Sequence, residues 1–239
     1  MMNSLLELAI NAHGGLDQWR KFHTVSSHLK VGGELWHLKG HQGTIEDVNV
    51  EVNLLEQSVS HIPNNEWHTL YTPDRIAIET SKGVLVEDMY NPRGSFTGHT
   101  LESQWSNLQL AYFAGYAMWN YLNTPYQFTR PGFELAEIAT WTENNETWRR
   151  LRVRWPAGIH THSKEQVFYI DSDGLIRRLD YEVEVSGNVS CVHYLSHYKE
   201  VSGIMLATKR LVYLKNTDNN RDPGSPLIVS IDLGDIEFE

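Results

Sequence analysis

Twelve histidines stand in this chain, and His160-Thr161-His162 is their tightest cluster. In an extended segment both rings point to one face about 7 Å apart, at about 3.3 Å per residue. That spacing suits a metal ion or a pair of acid–base groups. No carboxylate at characteristic spacing completes a ligand set, so no metal is expected. After Trp155-Pro156-Ala157-Gly158 the segment reads first as a surface loop. His193 and His197 lie on an alternating, strand-like run, about 13 Å apart and too far to share one ion. His37 falls in phase with Val31 and Leu35, on the expected inner face. A ring there is either a satisfied core histidine or a general base facing a cavity. Asp88 shares a face with Val84, Val86 and Tyr90 just before Asn91-Pro92. It is either a cavity acid or a strand-end aspartate bonding its own turn. His37, Asp88, His160 and His162 are therefore the proton-transfer candidates if the chain is an enzyme.

Arg177 is in phase with Leu175, Leu179, Tyr181 and Val183. A guanidinium on an apolar face needs an anion or a route to the rim. It either holds a ligand carboxylate, pairs with an inner acid or sits at the sheet edge. Arg150, Arg152 and Arg154 alternate against Leu151, Val153 and Trp155 and read as a solvated outer face. Asp171 and Asp173 open like a calcium loop but lack its later ligands, so they read as hairpin residues. Cys191 is the only cysteine and reads as a small buried hydrophobe. There is no Gly-x-Gly-x-x-Gly after a strand, no P-loop, no Gly-x-Ser-x-Gly elbow and no His-Glu-x-x-His. No cofactor is expected.

The element that must position these groups is the stretch from Ser103 to Phe128, which carries no charge. Trp105, Leu108, Tyr112, Gly115, Trp119 and Leu122 recur at three- and four-residue steps, one face of a helix. Leu110, Phe113, Ala117 and Tyr121 make a second apolar face. A helix apolar nearly all round is enclosed, and Leu108 to Leu122 is too short for the roughly 20 residues of a bilayer span. Around it the chain alternates. Val25, Leu29, Val31 and Leu35 mark one strand and Val48 to Leu54 the next. Ser81-Lys82-Gly83, Glu143-Asn144-Asn145 and Ser172-Asp173-Gly174 signal hairpins. Ten or eleven strands follow at hairpin spacing. With no linker or composition shift, residues 1–239 read as a single domain: one large antiparallel, curled sheet wrapping a plug helix, mainly β, with a short N-terminal helix ended by Gly14-Gly15.

A resemblance adds to this reading. Gly14-Gly15-Leu16-Asp17-Gln18-Trp19 leads into the sheet, and Phe168 to Arg178 follows later with Asp171-Ser172-Asp173-Gly174 at its turn. Tyr198-Lys199-Glu200-Val201-Ser202-Gly203-Ile204-Met205-Leu206 comes after. This order resembles the lipoprotein-carrier superfamily of LolA, LolB and LppX, which implies a half-open antiparallel barrel closed by helices. Pro92 to His99, through Trp119 and Tyr121, is also similar to uncharacterised bacterial proteins of that layout.

The formal net charge of −10 argues against nonspecific binding to nucleic acid or to anionic membranes. Met1 to Glu7 has no basic n-region and no long apolar run, so a cytoplasmic location and no membrane insertion are expected. The expected function is binding of a hydrophobic small molecule, lipid-, terpenoid- or polyketide-like, between concave sheet and plug helix. Trp36, Trp105, Tyr112, Tyr116, Trp119, Arg177 and Tyr181 would line that site. The alternative is a cofactor-independent acid–base enzyme, a cyclase, isomerase or hydrolase of such a lipophilic substrate.

Overall fold

Helix α1 (Ser4–Ala12) starts where the Asn3 side chain accepts hydrogen bonds from the Leu5 and Leu6 amides, at 3.0 and 3.2 Å. Asparagine suits this place because its short side chain reaches donors that the first turn leaves unpaired. The structure, a computed structural model, describes residues 3–63 and 66–239. Met1 and Met2, part of the N-terminal reading above, lie outside them.

At Gly14 the backbone has φ +112°, and a β-carbon there would sit 2.1 Å from the Gly203 carbonyl oxygen. Only glycine allows this approach. The Met205 amide donates to the His13 carbonyl at 3.0 Å, and Gln18 Nε2 donates to the Ser202 carbonyl at 2.7 Å. Trp19, at the end of α2 (Leu16–Trp19), stacks on Tyr126 at 4.1 Å. The two sequence motifs around Gly14 and Gly203 therefore pack against each other.

The strands are β1 (Thr24–Gly32), β2 (Asp47–Asn53), β3 (Val59–Ile62), β4 (Trp67–Tyr71), β5 (Arg75–Thr80) and β6 (Leu85–Tyr90), with the short helix α3 (Leu35–Leu38) after β1. After helix α4 (Asn107–Asn123) come β7 (Glu134–Glu143), β8 (Glu146–Arg154), β9 (Glu165–Ile170), β10 (Ile176–Val183), β11 (Val189–Val201), β12 (Ile204–Leu214) and β13 (Val229–Phe238). They form one 13-stranded antiparallel sheet in the order β6-β5-β4-β3-β2-β1-β13-β12-β11-β10-β9-β8-β7, not closed into a barrel. Each half is a hairpin meander. The halves join where β1 pairs with β13, Leu29 opposite Leu233. The chain leaves the first half at edge strand β6 and enters the second at edge strand β7. α4 is the crossing between them.

Burial follows the strand period. In β1 and β2 alternate residues are buried, among them Val25, Leu29, Val48, Val50 and Val52. The sheet has more strands than the ten or eleven expected, because β3 and β4 are four and five residues long. Runs that short show too little alternation to stand out from their polar neighbours. The first strand also ends earlier than its apolar phase suggested. At Gly33 φ is +109° and a β-carbon would meet the Ile228 carbonyl oxygen at 2.4 Å. The chain turns there, so Leu35 and His37 lie on α3 rather than on the strand.

Candidate functional site

α4 begins with a reciprocal cap. The Gln109 amide donates to Ser106 Oγ at 3.2 Å, and the Ser106 amide donates to Gln109 Oε1 at 2.9 Å. Every residue from Leu108 to Asn123 is buried, which is why the segment carries no charge: each would have to shed its hydration.

One side of α4 presents hydroxyls to the loop between β8 and β9. Tyr112 Oη lies 2.8 Å from His160 Nδ1 and Tyr116 Oη 3.1 Å from His162 Nδ1. Tyr121 Oη lies 2.8 Å from His162 Nε2 and 3.4 Å from Tyr181 Oη. The loop is held at its backbone too, with Asn120 Nδ2 and Gln57 Nε2 each donating to the His160 carbonyl at 2.8 Å. Arg93 donates to the Thr161 carbonyl at 2.9 Å and pairs with Glu184 at 2.5 Å. The segment expected to be a surface loop is thus docked on the plug helix. Burial first, and the Arg93 charge second, push His162 down to about 3, and the same two causes lower His160. A neutral imidazole has one donor and one acceptor nitrogen, and His162 spends both on hydroxyls. Its ring also stacks on Tyr181 at 4.3 Å.

The other expected site residues lie apart. His37 is exposed on α3. Asp88 pairs with Arg75 at 2.8 Å and stands opposite Ala77, on the face away from Ile76 and Ile78. The phase read from Val84 and Val86 fails because the register shifts between Ile78 and Glu79. Arg177 sits where the register shifts between Ile176 and Arg178, a bulge that takes it out of phase with Leu179 and Tyr181. It donates to Asp171 Oδ2 at 2.6 Å instead of facing the interior. Asp171 Oδ1 accepts from the Asp173 and Leu175 amides, so these aspartates are hairpin residues.

Among the expected ligand-binding aromatics, Trp36 and Tyr181 line an inner void between α4 and the concave sheet, with Phe113, Met118, Cys191 and Ile231. This void is only about 50 Å³. Trp105 is buried beside Phe113 at 4.8 Å, with Lys39 Nζ over its ring at 4.6 Å. Trp119 donates to the Asn53 and Glu56 carbonyls at 2.9 and 2.6 Å. Both are packed as wall. Burial raises the Cys191 thiol to about 12, which keeps it protonated.

A larger space adjoins this inner void along α4. A cleft of about 450 Å³ separates the first half of the helix (Asn107, Leu110, Ala111, Ala114) from the β3–β6 arm (His61, Trp67, Ile78, Val86). Ile45, His61 and Ala114 border both spaces. The His61 amide donates to Thr69 Oγ1 at 3.0 Å, while its ring Nδ1 is buried without a hydrogen-bond partner. Burial lowers this imidazole to about 4, so it is neutral at pH 7. The sequence reading missed His61 because it missed β3. The signal was Val59-x-His61, two buried residues in one phase. Among the described residues no group of three or more His, Cys, Asp or Glu side chains is placed to hold a metal. No helix there is long and apolar enough to cross a membrane.

No family model matches the chain, and no curated protein matches it by sequence. Among solved structures it is similar to a DUF1329-family protein from Desulfovibrio piger, at 12% identity over 99% of this chain and 92% of that one, with a TM-score of 0.48. It is similar also to a LolA superfamily protein from Nitrosomonas europaea (9% identity, 99% and 92% covered, TM-score 0.46) and to lipoprotein LppX from Mycobacterium tuberculosis (10%, 98% and 95%, 0.31). The layout that the turn and strand motifs implied is the one the chain adopts: a half-open curled antiparallel sheet around a helix.

Proposed function

We propose that this chain binds an apolar small molecule in the cleft between the first half of α4 and the β3–β6 arm. The cleft itself carries the reading: about 450 Å³ falls within the roughly 300–1,000 Å³ of small-molecule sites, which are mostly apolar with a few placed polar groups. The inner void beside Tyr181 is far below that range. His61 is one of its polar groups, beside Thr44, Thr69, Thr80 and Asn107, and is a neutral ring whose Nδ1 lacks a partner. Among the described residues Glu66 and Glu87 line the cleft and no lysine or arginine does. That lining favours a neutral or basic head group over a fatty-acid carboxylate, and so a neutral lipid, terpenoid or polyketide. Val86 lines the cleft at 60% exposure, and Val84 and Leu85 are exposed beside it at the free edge of the sheet. This gives an apolar ligand a route in.

The acid–base alternative has less support. His37 and Asp88 lie apart from each other and from the cleft, and His162 has both nitrogens occupied.

The test is native mass spectrometry of gently purified protein, with an organic extract of the same sample analysed in parallel. A stoichiometric, neutral apolar passenger is the expected result. An apo mass, together with no saturable binding of Nile red, would overturn the proposal.

A further inference from the structure

Two arginines are buried in the sheet, and they are treated differently. Arg178 is fully buried on β10, where Asp180 and Glu143 both meet it at 2.6 Å. Arg210, on β12 between Leu195 and Ile231, is 4% exposed. Its Nη2 donates to the Tyr121 carbonyl at 3.3 Å and its guanidinium lies 4.9 Å from the centre of the Tyr121 ring. Its Nε is buried with no partner. Among the described residues no carboxylate comes within 4.0 Å of it. The titratable groups nearest it are His13, His162, His193, Tyr121, Tyr181 and Tyr198, with Asn120, Thr124 and Gln166 as neutral polar neighbours. None of these carries negative charge at neutral pH.

An isolated cation in a low-dielectric interior is costly by several kcal/mol even after relaxation, and proteins avoid it by pairing. A π face and one carbonyl leave most of that cost standing. Beside the guanidinium is a void of about 20 Å³, lined also by His13, Asn120 and His162. About 10–15 Å³ on this measure holds one water-sized sphere.

From the buried unpaired guanidinium and the void beside it, we propose that Arg210 holds a single small anion inside the half-barrel, a halide ion or a carboxylate group. The anion supplies the charge that Asp180 and Glu143 supply to Arg178. This site is separate from the cleft and does not depend on it.

The full chain is melted in sodium chloride and in sodium gluconate at equal ionic strength, gluconate being too large for the void. A ligand bound only by the folded state at 100 times its dissociation constant raises Tm by about 5 °C or more in a chain of this size. Chloride is expected to give such a rise, and Arg210→Met to abolish the chloride–gluconate difference. A rise with sodium formate and not with chloride, again lost in Arg210→Met, assigns the anion to a small carboxylate. Crystals of the unsubstituted chain grown in bromide provide an independent readout, an anomalous peak beside Arg210, should the variant fail to fold. No rise with either salt and no bromide peak would overturn the proposal, leaving water or nothing in the void.

Discussion

Gly115 of α4 lies against the ring of Tyr71 on β4, so close that a β-carbon at 115 would sit 2.4 Å from Tyr71 Cγ and 2.6 Å from its Cβ. Glycine at 115 is what lets the helix backbone approach the sheet this closely. Both Tyr71 atoms lie at the root of a fully buried side chain, where no rotamer change can move them both aside. Gly115→Ala is expected to destabilise the chain by about 1–3 kcal/mol, as overpacking does. In a urea-melt double-mutant cycle, Gly115→Ala should cost less in a Tyr71→Ala background, where Cγ and the ring are gone. Independent, additive effects would refute the contact.

The buried histidines make stability fall in mild acid. Burial lowers His13 and His61 to about 4 and His162 to about 3. The unfolded chain therefore takes up these protons first, near the ordinary value of about 6.5. Stability is greatest above that pH, declines as pH drops through it, and stops declining only near the folded values. Each ring contributes a loss on the order of 3 kcal/mol by pH 4. Denaturant melts from pH 7.5 to 4.5 should show a steep decline beginning above the carboxylate range. A flat profile down to pH 5 would contradict the neutral, buried rings.

Tyr116→Phe keeps the ring but removes the hydroxyl that meets His162 Nδ1 at 3.1 Å. An orphaned buried nitrogen costs about 1–3 kcal/mol. The expected result is a lower Tm with an unchanged circular dichroism spectrum, and a shifted His162 resonance in nitrogen-15 spectra. An unaltered His162 signal would show that the pair is not formed.

Ala111 lines the cleft, so Ala111→Phe should fill part of its space of about 450 Å³. Binding of Nile red is expected to weaken at least about tenfold, the effect of losing roughly 1.4 kcal/mol of contact. Equal affinity in the variant would place the dye elsewhere.

Removing Arg178 leaves Asp180, 5% exposed in its side chain, with only the Tyr169 hydroxyl at 2.9 Å and Lys215 Nζ at 3.6 Å. Arg178→Ala should cost about 3–5 kcal/mol, as for other half-deleted buried pairs. Combining it with Asp180→Leu should recover much of that in chemical denaturation. No recovery would mean that the arginine acts through packing on Tyr169 rather than through its charge.

Much of this protein could be read from order along the chain. The charge-free run predicts α4 because every face of an enclosed helix must be apolar. Asn144-Asn145 and Asp173-Gly174 predict their hairpins because such turns need residues that tolerate positive φ, as Asn144, Asn145 and Gly174 show. Such signals act within a few residues. The phase of a strand is less secure, since one extra residue reverses it. Arg177 lost its inner face to a bulge, and His37 lost its strand to the turn at Gly33.

What tertiary structure alone decided is which polar groups meet. His160 and His162 reach tyrosines more than 40 positions away. His61 faces a cleft whose other wall is α4, and Arg178 finds two carboxylates where Arg210 finds none. Those outcomes depend on pairing β1 with β13 and on drawing the helix across the sheet between them. The contacts joining these parts are long-range, so no local pattern records them. Composition determined that a helix would be enclosed; the register of the sheet around it decided where space was left.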